Sequence, residues 1–254
     1  MKTTKESPHE TDRKTASLVG VLFIIGTVMG VLSVVFVSPV LGGPGYLARV
    51  AADPAPMILG AFCMLAMGLA LAMVPLALFP ILRRYHEPLA IGYVVFRSGL
   101  EMVTALGVVG SWLLLVTLGQ EYAVASAAAG SPAGPEFRTL GVLISKAAEI
   151  SSNAMAVVFP IGAIMLYVVC YQSKLIPRWL SVWGLIAVVL HLALTGLAGL
   201  ANLNEPSLIQ VVANAPILVQ EMVMAAWLIV KGFSPSAVAP GALKTAANEL
   251  LSVA

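Results

Sequence analysis

The stretch LVGVLFIIGTVMGVLSVVFV, residues Leu18–Val37, contains no Asp, Glu, Lys or Arg. The hydrocarbon core of a bilayer is roughly 30 Å thick, and a helix needs ~20 apolar residues to cross it. Five further runs also lack charged side chains: Pro56–Leu82, Met102–Gln120, Ile150–Ser173, Trp179–Asn204 and Leu208–Gln220. This pattern predicts an all-α fold, a polytopic membrane helix bundle.

The composition excludes an ordinary soluble domain. Charged residues make up 10% of the chain and hydrophobic residues 59%, whereas soluble domains carry about 25% charged residues. The net charge of +2 offers no basic face, so no nucleic-acid partner is expected.

Both cysteines, Cys63 and Cys170, fall in apolar runs of different helices, so we expect no disulfide, and no Cys/His cluster indicates a metal. Leu18–Val37 is too long for the apolar part of a signal peptide, which indicates a retained helix.

Six transmembrane helices fit the runs, at about Ser17–Val37, Pro56–Leu82, Leu89–Leu118, Thr139–Tyr171, Trp179–Leu200 and Ser207–Val230. Turn-forming sequences such as Glu87-Pro88 and Ile176-Pro177 separate them. The expected domains are a cytoplasmic tail at 1–16, a six-helix transmembrane domain at 17–232, and a cytoplasmic tail at 233–254. In that second tail, Leu243, Leu250 and Leu251 permit a short interfacial helix, with solvated disorder as the alternative.

The distribution of Lys and Arg predicts the orientation. With the N-terminus inside, only Arg49 and Arg138 lie on the outer side. The inner side then holds Lys2, Lys5, Arg13, Lys14, Arg83, Arg84, Lys174, Arg178, Lys231 and Lys244. Cytoplasmic loops are enriched in basic residues, so both termini are predicted to be cytoplasmic in a plasma (inner) membrane. Trp179 and Trp183 follow Arg178 and are predicted to form an interfacial anchor.

Four ionisable residues within the predicted membrane helices are the leading site candidates: Arg97, Glu101, His191 and Glu221. Counted from the cytoplasmic helix ends at 1.5 Å per residue, Glu101 and His191 lie about 18 Å deep and Glu221 about 15 Å deep. Unpaired charge at that depth is costly. We therefore predict that Arg97, Glu101 and Glu221 form one buried cluster with His191 near it.

Helical spacing places polar residues on one face of each of the third to sixth predicted helices. These secondary candidates are Tyr93, Thr104, Lys146, Glu149, Asn153, Thr195, Gln210 and Asn214. The alternative is purely structural, because Arg97 can pair with Glu101 four residues on, and Lys146 with Glu149 three residues on. Glu221 has no such local base, so either Arg97 pairs with it across the bundle or it is protonated. The sequence Gly26-x-x-x-Gly30 permits close helix contact but is weakly specific.

Three segments resemble the bacterial membrane family numbered 4386 among the domains of unknown function. They are Leu82–Arg84 with Leu89–Arg97, then Leu175–Leu185 with its Pro177-Arg178-Trp179 turn, and Glu221–Phe233. The resemblance spans about Lys14 to Phe233 and implies a bacterial plasma-membrane protein. It implies no reaction, ligand or catalytic residue.

Two functions remain open from sequence alone. One is a small-solute or proton-linked transporter, or a membrane ligand-binding protein, with a polar cavity at the midplane that takes a small molecule or ion. The other is a structural or regulatory membrane protein whose polar residues only lock helices together. Enzyme activity is disfavoured, because neither H-E-x-x-H nor G-x-S-x-G occurs, and no catalytic residue or cofactor is predicted. The expected partner is the lipid bilayer, and the oligomeric state stays open.

Overall fold

The computed structural model describes residues 8–130, 134–200 and 208–234, and all regular structure in these ranges is helical. The elements are α1 (Pro8–Leu41), α2 (Tyr46–Ala52), α3 (Ala55–Tyr93), a π-helical segment (Val94–Leu100), α4 (Glu101–Ala129), α5 (Pro135–Ser173), α6 (Arg178–Leu200) and α7 (Leu208–Val230). Five of the six predicted helices each overlap one helix of the structure, while the predicted helix Leu89–Leu118 spans the end of α3, the π-helical segment and most of α4. The short α2 was not predicted, and the proposed tail helix at 243–251 lies outside the described residues.

Four helical stretches are long and apolar enough to cross a membrane. They are Asp12–Leu41, Ala55–Ala129, Pro135–Ser173 and Arg178–Gly196, while Asn214–Val230 forms a shorter apolar helix. Large aliphatic side chains cover the outward faces, including Val34, Leu143 and Ile186. An aliphatic surface of this kind is stable against lipid and not against water, so the structure indicates a membrane protein.

Helix α3 is interrupted at His86. This residue has φ −153° and ψ 88° and is not helical. Its ring Nδ1 accepts a hydrogen bond from the backbone N–H of Leu89 at 3.3 Å, which satisfies one of the donors left open at a helix start. Pro88 cannot donate a backbone hydrogen bond and suits the first turn of the helix that follows. The predicted connection at Glu87-Pro88 is therefore a one-residue break.

The chain forms two compact units, whose boundaries fall inside long helices. The first unit contains Met1–Ile24, Leu71–Gly99 and Ala156–Ala254. Within it, α6 packs against α7, and Gly20 of α1 lies so close to α7 that an added Cβ would sit 2.7 Å from the Ala225 carbonyl oxygen. The backbone N–H of Ser234 donates to the Leu175 carbonyl at 2.9 Å. This bond fixes the end of α7 against the turn between α5 and α6.

The predicted aromatic anchor also lies in the first unit. The rings of Trp179 and Trp183 stack with centroids 6.3 Å apart, and Trp179 is more than half exposed. The Arg178 guanidinium lies 5.1 Å from the centre of the Tyr171 ring. Aromatic and basic side chains together are typical of the boundary between lipid and water.

The second unit contains Ile25–Ala70 and Leu100–Met155. Helix α2 packs against α4, and the core between them includes Val50, Trp112 and Leu115. Asp53 accepts a hydrogen bond from the Ala55 N–H at 3.0 Å and so caps α3. Cys63 is buried in this unit and Cys170 in the first, and both are free thiols. Each unit thus carries its own buried thiol reporter.

Arg49 organises the loop between α1 and α2. Its guanidinium donates to the carbonyls of Val40 and Pro44 at 2.9 Å, to that of Gly43 at 3.3 Å, and to that of Gly42. These carbonyls include groups that the end of α1 leaves without a helical partner. The distribution of basic residues predicts Arg49 only as a charge on the outer side, and its hydrogen bonds to the loop give it a structural role as well.

We expect Arg49→Ala to destabilise the second unit by about 2 kcal/mol, because hydrogen bonds from a charged donor contribute about 1.5–3 kcal/mol each and the loop is partly exposed. The measurement is the rate at which a thiol-reactive dye labels Cys63 in a Cys170→Ala background during heating. Arg83→Ala is the control, since Arg83 is exposed and contacts only the Phe79 ring at 5.8 Å among the contacts described. Equal labelling rates for both variants would contradict the expectation.

Candidate functional site

The first unit places Arg97 in the π-helical segment Val94–Leu100. Ser98 of the same segment donates its hydroxyl to the Ala72 carbonyl of α3 at 2.6 Å. Arg97 itself is only 3% exposed. Short π-helical segments disturb the regular hydrogen-bond ladder and occur often at functional sites. The local backbone therefore departs from α-helical geometry where the buried charge lies.

Glu221 of α7 lies opposite Arg97. Its Oε1 is 3.5 Å from the Arg97 Nη2, and its side chain is 13% exposed. The Arg97 guanidinium also lies 4.6 Å from the centre of the Phe159 ring, which attracts the cation through its negative face. Both charged residues have further interactions within the described chain. Arg97 and Glu221 therefore form a long, buried ion pair covered by an aromatic ring.

A second buried polar contact lies beside this pair. The Tyr167 hydroxyl donates to Gln220 Oε1 at 2.6 Å, and Gln220 Nε2 donates to the Leu180 carbonyl at 3.1 Å. Tyr167 is close enough to Glu221 and Arg97 to interact electrostatically with both. Gln220 is fully buried. The ion pair and this hydrogen-bonded chain make one polar region within the first unit, here called the Arg97–Glu221 region.

His191 of α6 extends the same region. Its ring meets that of Phe159 edge to face, with centroids 5.7 Å apart, and its Nε2 lies 3.3 Å from the Ala156 carbonyl. Asn214 lies near enough to interact with the ring. The buried Nδ1 nevertheless forms no hydrogen bond with a described residue, and neither does the Ser181 hydroxyl of the same helix. Buried polar atoms without a partner are uncommon and call for water or a ligand.

The other sequence candidates are distributed as follows. Tyr93 is buried in the first unit, and Thr195 there is half-buried. Glu101 is buried and belongs to the second unit, where Thr104 donates to its backbone carbonyl at 2.7 Å. Its membership of a cluster with Glu221 stays a prediction.

The remaining candidates are exposed or undescribed. Lys146 and Glu149 form an exposed ion pair at 2.6 Å, the local pairing that the spacing permitted. Asn153 and Asn214 are exposed, and the side chain of Gln210 lies outside the described part of the chain. Among the described residues, no group of three or more His, Cys, Asp or Glu side chains could hold a metal ion.

Sequence reasoning missed Tyr167, Gln220 and Ser181. A signal for Tyr167 existed, since it continues the polar spacing of α5 seven residues after Pro160. Gln220 is adjacent to Glu221 and was treated as the end of an apolar run. Ser181 offered no signal, because a serine in an apolar helix usually bonds to its own backbone.

Comparison with known families identifies the chain. The family model for a domain of unknown function, DUF4386, matches residues 18–232. The chain belongs to the DUF4386 family. The match covers most of the chain and includes the whole Arg97–Glu221 region. No curated protein and no solved structure matches the chain.

DUF4386 carries no activity in its description, so the chemistry must come from the residues themselves. The Arg97–Glu221 region offers one paired carboxylate, one buried cation, a phenol and a neutral amide. These groups can hold or release a proton and can donate hydrogen bonds. Among the contacts described, none joins one of these groups as a nucleophile to an adjacent base.

Proposed function

We propose that this DUF4386 protein is a proton-linked membrane protein, and that the Arg97–Glu221 pair is its titrating element. The observation that carries the proposal is the buried ion pair at 3.5 Å inside an apolar helical unit. Ionisable residues within membrane helices are costly and usually functional. A small-solute transporter coupled to protons is the most specific form of this function, with a membrane ligand-binding protein as its simpler form.

The geometry of the pair supports a role beyond stability. The distance of 3.5 Å between Arg97 Nη2 and Glu221 Oε1 is longer than a charge-assisted hydrogen bond of ≈ 2.7–2.9 Å. A buried ion pair gains little stability unless its geometry is very good. A proton on Glu221 would cancel the carboxylate charge and release Arg97 to the Phe159 ring. The pair can therefore exist in two states, one with Glu221 ionised and paired with Arg97 and one with Glu221 protonated and Arg97 against Phe159. Neither state exposes an unpaired charge to lipid.

The proposal includes a topology. Six transmembrane helices within residues 17–232, both termini cytoplasmic, multiple passes and a bacterial plasma membrane follow from the basic-residue count and from the family. Reporter fusions at the Arg83–Glu87 connection test it. An outer location for that connection would overturn the topology and would not affect the ion pair.

We expect Glu221→Gln to fold and to abolish any proton-dependent activity. Glutamine resembles the protonated carboxyl in shape and retains an oxygen that can accept from Arg97, while Phe159 still contacts the cation. The measurement uses purified protein in liposomes that contain a pH-sensitive dye, with an imposed potential to drive proton entry. Wild-type protein should acidify the lumen faster than Glu221→Gln protein of equal stability.

Glu149→Gln is the matched control, since Glu149 also pairs with a base but is 44% exposed. It should behave as wild type does. If neither substitution alters proton entry, and if a deletion strain grows and holds metabolites as the parent does, the structural function is preferred. The ring of Phe159 over Arg97 is the observation that favours that alternative, because this contact stabilises the buried cation by packing alone.

A further inference from the structure

A separate cleft lies wholly within the second unit. It has a volume of about 430 Å³, within the range of about 300–1,000 Å³ typical of small-molecule sites. The loop and helix start at residues 43–48 form one wall, and Tyr122, Arg138 and Val142 form the other. Its lining does not include Arg97 or Glu221, so the Arg97–Glu221 region does not account for it.

The loop wall is held in a fixed shape. Gly43 and Gly45 have φ values of +75° and +80°, a backbone conformation that residues with a side chain rarely adopt. The Arg49 guanidinium donates hydrogen bonds to the carbonyl oxygens of Gly42, Gly43 and Pro44. Because these acceptors are already bonded, the loop does not offer the cleft a ring of free carbonyls for a cation.

The one charged side chain among the described lining residues, Arg138, is a hydrogen-bond donor. Arg138 is exposed and forms no hydrogen bond or ion pair with any residue in the described ranges. The Tyr46 hydroxyl is buried against Gly141 and has no described partner. Glu121 and Glu136 are close in sequence to the lining residues, but neither lines the cleft. The unpaired guanidinium therefore favours an anionic group.

Aliphatic side chains line the cleft, and further exposed aliphatic side chains adjoin it in the sequence. Leu47 and Val142 line it, and Leu140 and Leu143 beside Val142 are at least half exposed. Tyr122 packs edge to face on Phe137, with ring centroids 5.9 Å apart. Tyrosine and arginine together are typical of the headgroup level of a membrane. A ligand here needs an anion at one end and a hydrocarbon chain at the other.

We propose that this cleft binds a phospholipid, with its phosphate on Arg138 and an acyl chain along Leu47 and Val142. Arginine recognises phosphate oxygens through paired N–H donors, and the apolar wall accommodates hydrocarbon. A free anion would leave that apolar wall against water. This site is independent of the proton-linked function proposed above.

The test measures lipid binding by native mass spectrometry of detergent-purified, delipidated full-length protein. Three probes are compared: dioleoylphosphatidylglycerol, dioleoylglycerol, which lacks the phosphate, and inorganic phosphate, which lacks the chains. Only the phospholipid should bind at micromolar concentration. Equal binding of dioleoylglycerol, or displacement of the phospholipid by low-millimolar phosphate, would overturn the proposal.

Two variants place the lipid in the cleft. Arg138→Gln removes the phosphate contact, and Val142→Trp fills the apolar wall. Arg138→Gln should weaken phospholipid binding by about tenfold or more, the equivalent of one lost charged contact. Val142→Trp should weaken it by a similar factor, because the larger side chain takes the place of the acyl chain. Arg178→Gln is the control, because Arg178 is an exposed arginine of the first unit. Dye labelling of Cys63 verifies that the second unit is folded, and unchanged binding in folded Arg138→Gln protein would refute the site.

Discussion

Arg97→Ala is expected to destabilise the first unit by about 3–5 kcal/mol, the usual cost of removing one partner from a buried ion pair. The substitution leaves the Glu221 carboxylate, which is 13% exposed, without its basic partner. It also removes the cation over Phe159 and leaves a void in the π-helical segment. Low yield of folded protein after detergent extraction would be the first sign.

The buried cysteines localise the effect. Cys170 reports on the first unit in a Cys63→Ala background, and Cys63 reports on the second in a Cys170→Ala background. Faster labelling of Cys170 during heating is the expected result. Lys146→Ala is the control, because it breaks an exposed pair and should cost less than about 1 kcal/mol.

The comparison with Glu221→Gln separates charge from packing. If Arg97 matters only because it fills space, Arg97→Met should be as stable as wild type. If the unpaired carboxylate is the cause, Arg97→Met should be unstable, and the double substitution Arg97→Met with Glu221→Gln should recover most of the loss. Wild-type stability in Arg97→Ala protein would remove the ion pair as a determinant of the fold.

The helices were predictable because charge is excluded from the lipid-facing runs. The ends of the helices were less predictable. Helix α1 begins at Pro8 and includes Asp12, Arg13 and Lys14, because helical hydrogen bonding can continue beyond the apolar residues. The seven residues of α2 lie between Gly45 and Pro54. A seven-residue segment between a glycine and a proline is expected to be a loop, because an isolated helix of that length is unstable. Its packing against α4 stabilises the helix.

The candidate site was partly predictable because charged residues are excluded from most of the membrane helices. Arg97 and Glu221 are rare charges in the predicted membrane helices, and a buried charge requires a partner. Tyr167 and Gln220 are uncharged polar residues, and the sequence does not show that they face each other. Their mutual contact depends on α5 and α7 meeting in space. The Gly26-x-x-x-Gly30 pattern permits close helix contact, and an added Cβ at Gly30 would lie 2.9 Å from the Met67 Sδ. Gly20 lies against the backbone of α7, and no sequence pattern points to it, because a single sequence does not give the helix registry that decides such contacts.

Gln220→Leu is expected to destabilise the first unit by about 2–3 kcal/mol. The amide is fully buried and joins the Tyr167 hydroxyl to the Leu180 carbonyl. Leucine has a similar volume but leaves the hydroxyl without an acceptor, and an unmet buried polar group costs about 1–3 kcal/mol. The Leu180 carbonyl suffers less, because it lies in α6 and can accept its helical hydrogen bond.

A double substitution tests whether the loss comes from the unmet hydroxyl. Tyr167→Phe alone should also destabilise, because it leaves the Gln220 oxygen without its donor. Combining Tyr167→Phe with Gln220→Leu should be milder than the sum of the two, since replacing both polar partners by apolar groups can be nearly neutral. The measurement is the temperature at which the monodisperse peak is lost in size-exclusion chromatography, because Cys170 lies too near Tyr167 to report independently. Tyr171→Phe on the same helix removes an exposed hydroxyl and should leave that temperature unchanged. Strict additivity of the two core substitutions would mean that Tyr167 and Gln220 are not coupled, and the polar region would then reduce to the ion pair alone.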